Sequence, residues 1–125
     1  LFRKEKAERL LEALEADQLP EKPDFILLDP PNIVRNKKYL PQALKMLSRM
    51  AGAALKALPQ GGYLAASTCS HHISRSVFME TLSDAAARAG RTAVLVELRG
   101  QAKDHPILVS MPETEYLHFA LLKVV

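Results

Sequence analysis

The sequence predicts an α/β fold in which helices alternate with strands and most strands are parallel, with the last strand antiparallel. Amphipathic stretches, in which leucine and alanine recur every three or four residues, alternate with apolar runs too short to be helices. This alternation is typical of a parallel sheet, because each helix returns the chain to the end at which the previous strand began. With 125 residues the chain is long enough for one domain with its own core.

The apolar spacing predicts helices over residues 7–14, 40–58 and 73–89, and strands over residues 25–28, 63–68, 92–98 and 116–124. Ser74 is the expected N-cap of the third helix, and Gly90 follows its end. The first strand, Phe25-Ile26-Leu27-Leu28, is continuously apolar. We therefore expect it to be buried on both faces of the sheet.

The composition narrows the class of protein. A net charge of +3 and a pI near 9.1 permit nucleic-acid binding without requiring it. A single cysteine excludes an internal disulfide and suits a reducing cytoplasm. No apolar run approaches the roughly 20 residues that a membrane span needs. Because the chain opens on Leu1 rather than on Met, we expect it to be part of a longer protein.

A polar motif closes each of the first two predicted strands. Asp29-Pro30-Pro31 places a carboxylate on a stiff loop, and Ser67-Thr68-Cys69-Ser70 contains the only cysteine. In a parallel sheet, chemistry collects at the carboxyl ends of the strands, so both motifs are expected at one crevice. No Gly-x-Gly-x-x-Gly follows a strand, so the turn that usually holds a nucleotide-type cofactor is missing from this sequence.

A family resemblance rests on five segments in a fixed order: Asp29-Pro30-Pro31, Gly61-Gly62-Tyr63-Leu64, Ser67-Thr68-Cys69-Ser70, Gln101-Ala102-Lys103-Asp104-His105-Pro106 and Glu115-Tyr116-Leu117. Together they resemble the C-terminal half of the class I AdoMet-dependent cytosine-5 methyltransferases of large-subunit ribosomal RNA. The resemblance covers nearly the whole chain. It implies that residues 1–125 form the catalytic C-terminal part of a Rossmann-like methyltransferase domain, without the family's N-terminal RNA-binding domain and Gly-rich AdoMet motif.

The same resemblance implies AdoMet as the cofactor, ribosomal RNA as the partner and a cytoplasmic location, with the isolated segment itself inactive. The position of Cys69 matches the family's nucleophile. Asp29 is expected to contact the pyrimidine edge, and Asp29 with Pro30 the cofactor. The expected substrate-binding residues are Pro30, Pro31, Arg35, Lys37 and Lys38, and the expected supporting residues are Ser70, Asp104 and His105.

The proposed chemistry explains these residue types. C5 of cytosine is a poor nucleophile, and a thiolate that adds to C6 makes C5 reactive enough to accept a methyl group. The thiolate is the active form of a cysteine, and amide groups at a helix beginning near Ser74 would favour it at Cys69. Asp29 would offset the charge that develops during the addition. No second cysteine exists, so another base must remove the C5 proton.

Other interpretations remain open. A lone cysteine at a strand end is often a buried small hydrophobe, and the basic residues after Pro31 are equally compatible with a solvated loop. Asp104-His105-Pro106 suits a general base or a rigid turn. An exocyclic-amine methyltransferase also uses Asp-Pro-Pro, although Asn32 stands where that class has a stacking aromatic. His71 and His72 beside Cys69 lack further metal ligands, so we expect no metal.

The remaining alternative is a non-catalytic fragment that binds RNA or forms oligomers. The strand at residues 25–28 is expected to be a sheet edge in this chain, without the lysine or proline that usually protects an edge. We therefore expect the isolated chain to form a homodimer or larger homo-oligomer joined at or near this strand and the opening helix, or to aggregate.

Overall fold

The computed structural model describes residues 4–32 and 34–125. These residues form three α-helices: α1 (Ala7–Glu15), α2 (Leu40–Ala57) and α3 (Arg75–Arg88). The same residues form four strands: β1 (Phe25–Leu28), β2 (Tyr63–Cys69), β3 (Ala93–Arg99) and β4 (Leu117–Val124). Short 3-10 turns at Lys37–Tyr39 and Pro112–Thr114 complete the elements. The helices and strands predicted from apolar spacing are all confirmed, with boundaries that move by a few residues.

The four strands form one mixed sheet in the order β1-β2-β4-β3. β1 pairs with β2 in parallel, whereas β4 is antiparallel to both β2 and β3. The first three strands therefore point the same way, and the predicted antiparallel last strand is confirmed. β4 lies inside the sheet, between β2 and β3, so the last strand of the chain links these two.

One face of the sheet carries the core. Along β4, buried and partly buried residues alternate over its whole length, and the buried set is His118, Ala120, Leu122 and Val124. These residues pack with α2 and α3, whose most buried side chains include Ala51, Ala54, Leu55 and Phe78. The small alanines of α2 let this helix lie close to the sheet. α1 packs against α2 rather than against the sheet centre.

The expectation that β1 is buried on both faces is wrong. Phe25 is 53% exposed and Leu27 is 62% exposed, while Leu28 is buried on the helix side. Successive residues of a strand point to opposite faces, so Phe25 and Leu27 share one face and Ile26 and Leu28 share the other. Within the described residues the helices cover only the face that holds Leu28, and β1 is an edge strand. The continuous apolar run therefore buries one face and leaves the other open.

Local signals set the helix ends as the sequence indicates. The Ser74 hydroxyl accepts a hydrogen bond from the Val77 backbone N–H at 3.3 Å, which satisfies an amide of the first turn of α3. Gly90, just past the end of α3, adopts a φ of +64°, a conformation that a side chain would strain. Among the described helices, none combines the length and hydropathy of a membrane span.

Candidate active site at the carboxyl edge of the sheet

The ends of β1 and β2 are joined by a direct side-chain contact. The Ser67 hydroxyl donates a hydrogen bond to Asp29 Oδ1 at 2.5 Å, and its oxygen also lies 3.4 Å from the backbone oxygen of Leu28. Ser67 is buried, whereas Asp29 is exposed. The carboxylate is thus anchored at one oxygen, and the side chain as a whole faces the crevice.

Strand register places Cys69 beside this pair. Leu28 lies opposite Ala66 in the parallel β1–β2 ladder, so Asp29 follows at the level of Ser67. Ser67 and Cys69 are two residues apart on one strand, and their side chains therefore share a face of the sheet. Cys69 is half-buried. The structure thus brings the two predicted catalytic residues to the same edge and the same face, with Ser67 between them.

The turn after Cys69 is tightly built. Ser70 is buried, its hydroxyl accepts from the His72 backbone N–H at 3.3 Å, and its carbonyl accepts from the Ile73 N–H at 3.1 Å. Ser70 therefore stabilises the turn that leads into α3. That helix begins at Arg75, and the Val77 amide in its first turn is bonded to the Ser74 hydroxyl. An influence of the helix start on Cys69 stays a prediction.

The basic loop after the Pro-Pro motif meets the turn after β2. Arg35, Lys37 and Lys38 are exposed, and the Asn36 side chain accepts from the Lys38 N–H at 2.9 Å to start the short turn. Partial burial lowers the pKa of His72, and the nearby charges of His71 and Lys37 lower it further. The His71 and His72 rings lie 3.9 Å apart. Exposed donors from both loops thus gather on one side of the crevice.

Asp104 and His105 belong to the long connection between β3 and β4. Gln101 holds this loop together: its amide nitrogen donates to the backbone oxygens of His105 and Thr114, at 2.9 and 2.7 Å, and its amide oxygen accepts from the Tyr116 N–H. His105 Nδ1 lies 3.0 Å from the Tyr116 hydroxyl.

The carboxylate of Asp104 lies 3.8 Å from His105 Nε2, and both side chains are exposed. The hydrogen bonds found among the described residues do not link Asp104 or His105 to Asp29 or Cys69. These contacts fit the structural-turn interpretation of the motif better than the general-base one.

Across residues 4–32 and 34–125, no group of three or more His, Cys, Asp and Glu side chains is arranged to hold a metal ion. Two relevant residues escaped the sequence reasoning. Ser67 could have been identified from its place two positions before Cys69, since strand alternation puts them on one face. His118, a buried residue of β4, lies opposite Thr68 on β2, and this pairing is not visible in the local sequence.

The sheet and its edge define the class of fold. Two solved structures, SMU.776 in complex with SAH and a candidate SAM-dependent methyltransferase from Streptococcus mutans, both superpose with a TM-score of 0.78. They are 20% and 18% identical to the chain and cover 96% of it, while the chain covers 30% of each. The chain therefore has part of the Rossmann-like methyltransferase fold, as expected from the sequence.

Curated relatives give a more specific comparison. The chain is 39% identical over 97 residues to ribosomal RNA large subunit methyltransferase I of Serratia proteamaculans, and 40% identical over 97 residues to the protein of the same name from Aeromonas salmonicida. Each match covers 78% of this chain and 24% of the relative. The chain thus spans about a quarter of the length of these proteins. No family model matches the chain.

The Ser67–Asp29 contact can be measured without any catalytic assay. We expect Ser67→Ala and Asp29→Asn each to lower the free energy of unfolding, and the double variant to lose less than the sum. A hydrogen bond to a charged group predicts a coupling free energy of about 1.5–3 kcal/mol. The measurement is urea unfolding of the four proteins, with Ser83→Ala as the control for an exposed serine. Strict additivity would show that the two side chains do not interact in solution.

Proposed function

We propose that the protein to which this chain contributes its catalytic part transfers a methyl group from AdoMet to C5 of a cytosine in ribosomal RNA through a covalent adduct at Cys69. The observation that carries the proposal is the placement of Asp29, Ser67 and Cys69 on one face of one sheet edge. The similarity to proteins named ribosomal RNA large subunit methyltransferase I supports the substrate class. Ribosomal RNA as the substrate assigns the reaction to the cytoplasm.

The proposed reaction begins at Cys69. Its thiolate adds to C6 of the cytosine, which forms a C6–S bond and moves electron density to C5. C5 then takes the methyl group that the cofactor supplies. Loss of the C5 proton to a base breaks the C6–S bond, restores the aromatic ring and returns the thiolate. The given sequence has no second cysteine, so no thiol among these 125 residues can be that base.

Asp29 acts on the pyrimidine edge. Its exposed carboxylate is held by Ser67 at one oxygen, and among the described residues no hydrogen bond engages the other oxygen, which can face the base. A carboxylate that already has its orientation loses little entropy when the substrate binds. A hydrogen bond from the pyrimidine edge to Asp29 strengthens as charge develops in the ring, so it stabilises the transition state more than the bound substrate. Pro30 and Pro31 stiffen the backbone on which Asp29 stands.

The basic loop would position the RNA rather than take part in the chemistry. Arg35, Lys37 and Lys38 are exposed beside the crevice and are suited to phosphate contacts, which orient a nucleic acid without reading its sequence. Arg75 at the start of α3 adds a further exposed cation next to the same turn, although Glu115 partly neutralises it at 3.5 Å. RNA affinity that depends on these residues should therefore fall as the salt concentration rises.

The described residues supply only part of a binding site for the cofactor. Asp29 and Pro30 stand at the edge where AdoMet would lie, and a carboxylate there suits a positively charged sulfonium. A glycine-rich turn, which brings backbone amides close to such a ligand, does not follow any of the four strands. The remaining cofactor contacts must come from residues outside this chain.

Loss of Cys69 tests the covalent mechanism. We expect the complete gene product that contains these residues to form a covalent adduct with RNA carrying 5-fluorocytosine, since fluorine at C5 blocks the final elimination. Cys69→Ala should abolish the adduct, and Ser83→Ala, an exposed serine of α3, should retain it. Gel mobility and mass spectrometry detect the adduct, and circular dichroism checks folding. An undiminished adduct in Cys69→Ala would refute the mechanism and favour transfer to an exocyclic amine.

A second prediction concerns the cofactor. The 125-residue chain alone should not bind AdoMet appreciably, because it lacks the glycine-rich turn that supplies most contacts in this fold. Isothermal titration calorimetry measures this directly. A dissociation constant of about 10 μM or tighter would mean that the cofactor is held mainly by the residues described above.

We also propose that the isolated chain self-associates through β1 and α1. β1 is an edge strand: it pairs with β2 on one side, and no strand of the described residues pairs with its other side. Phe25 and Leu27 are exposed, and an open apolar groove of about 500 Å³ lies between β1 and the side chains of Leu10 and Leu14 of α1. A second copy of β1 would satisfy the free backbone groups of the edge and cover this apolar surface.

Light scattering of the isolated chain tests the interface, because we expect a mass of at least twice 13.8 kDa. Leu27→Lys should shift the population towards monomer, since a charge on the edge opposes pairing. Val109→Lys, at a fully exposed loop position remote in sequence, serves as the control. A wild-type monomer at high concentration contradicts the proposal, as does a dimer that Leu27→Lys leaves intact.

A further inference from the structure

A buried histidine lies next to the catalytic strand and has no role in the proposed mechanism. His118 is only 2% exposed and belongs to β4, where it lies opposite Thr68, the residue before Cys69. Its ring stacks on Phe78 of α3, with centroids 6.2 Å apart and planes tilted by 29°. Histidine is rarely buried to this extent without a reason in packing or chemistry.

The contacts of the ring identify its state. Among the described residues, Nδ1 of His118 has no hydrogen-bond partner, and it is shielded from solvent. A charged imidazolium carries N–H groups at both nitrogens, so charging this ring would bury a donor without an acceptor. The neutral ring with its proton on Nε2 avoids this cost. The structure therefore favours an uncharged His118.

The surrounding charges agree with this state. Burial lowers the pKa of His118, and the cation of Arg75 lowers it further, while Glu115 and the Ile73 backbone act in the opposite direction. Arg75 belongs to α3 and Glu115 to the segment before β4, and the two form an exposed ion pair at 3.5 Å. Each charge is thus partly offset by the other, which leaves burial as the dominant effect on the ring.

The His118 ring packs against the turn that follows Cys69. Ile73 is the last buried residue of the turn over residues 70–74, and its backbone lies against the His118 ring. Phe78, on which the ring stacks, belongs to the first turns of the helix that this turn enters. His118 therefore fills the space beneath the segment that leaves Cys69.

We propose that His118, as an uncharged ring, positions the turn over residues 70–74 and so controls the accessibility of Cys69. It is a positioning residue, since it acts through the turn and not on the substrate. The consequence for methyl transfer rests on the function proposed above, whereas the effect on the thiol can be measured in the chain by itself. Acidification should charge the ring, loosen the turn and expose Cys69.

The sign follows from proton linkage. The pKa of His118 in the folded chain lies below the ordinary value of 6.5, so the unfolded chain binds more protons as the pH falls past 6.5. The stability that depends on a neutral His118 is fully present above that pH. It declines as the pH falls towards the folded-state pKa and then levels off. Local opening of the turn is expected over the same interval.

The experiment uses the single cysteine of the chain as its probe. The rate at which Cys69 reacts with 2,2′-dithiodipyridine is divided by that of a free cysteine peptide at the same pH. We expect this ratio to be constant above about pH 7 and to rise at least about threefold as the pH falls to about 5. In His118→Phe, which keeps a stacked ring that cannot titrate, the ratio should stay flat.

His71→Phe is the matched control, because His71 lies on the same turn but is exposed. In His71→Phe we expect the same increase of the rate ratio at low pH as in the wild-type chain. A flat ratio in the wild-type chain, a rise that persists in His118→Phe, or a rise abolished by His71→Phe would each overturn the proposal.

Nitrogen-15 spectra of the wild-type imidazole rings give an independent measurement if His118→Phe does not fold. We expect a neutral His118 ring protonated on Nε2 at about pH 7, and a midpoint of titration below 6.5. A ring that is charged at about pH 7, or protonated on Nδ1, would also overturn the proposal. Neither readout uses AdoMet or RNA, so failure of the methyltransferase proposal would leave this result unchanged.

Discussion

The candidate site depends on the parallel pairing of β1 with β2. β1 has only four residues, yet its register brings Asp29 to the level of Ser67, where the hydroxyl can reach the carboxylate. The carboxylate is exposed, and the Ser67 hydroxyl fixes its orientation from within the strand that carries Cys69. The anchoring of Asp29 and the presentation of Cys69, the two residues proposed to be catalytic, therefore depend on the same backbone pairing.

The second constraint is the insertion of β4 between β2 and β3. An antiparallel neighbour pairs residue by residue with β2 along its entire length, from Tyr63 opposite Lys123 to Cys69 opposite Leu117. This pairing fixes the end of β2, at Cys69, against β4. It also brings the long loop over residues 100–116 to the carboxyl edge, where Gln101 organises its backbone. Distant parts of the chain thus meet around Cys69.

Much of the fold could be predicted because helices and strands leave local periodic signals. The N-cap at Ser74 and the helix end at Gly90 each depend on a single residue type, so the sequence predicted them as well. The burial of β1 could not be predicted in the same way. An apolar run shows that both faces of a strand can be covered, but it does not show which elements cover them. The contacts of Ser67 with Asp29, and of His118 with the turn after Cys69, arise from strand order. Strand order brings together residues 38 or more positions apart, and no local pattern encodes it.

The shortness of β1 gives the Ser67–Asp29 contact another consequence. Sliding β1 by two residues along β2 would keep every apolar side chain on its present face, so hydrophobic burial cannot distinguish the shifted ladder from the native one. One polar contact can. The Tyr63 N–H donates to the Asp24 backbone oxygen at 2.9 Å, but after such a slide it would meet the equivalent oxygen of another residue. Only the bond from Ser67 to Asp29 joins two particular side chains, and the slide would break it. A contact between two side chains of the candidate site thus also favours the native alignment of β1 on β2.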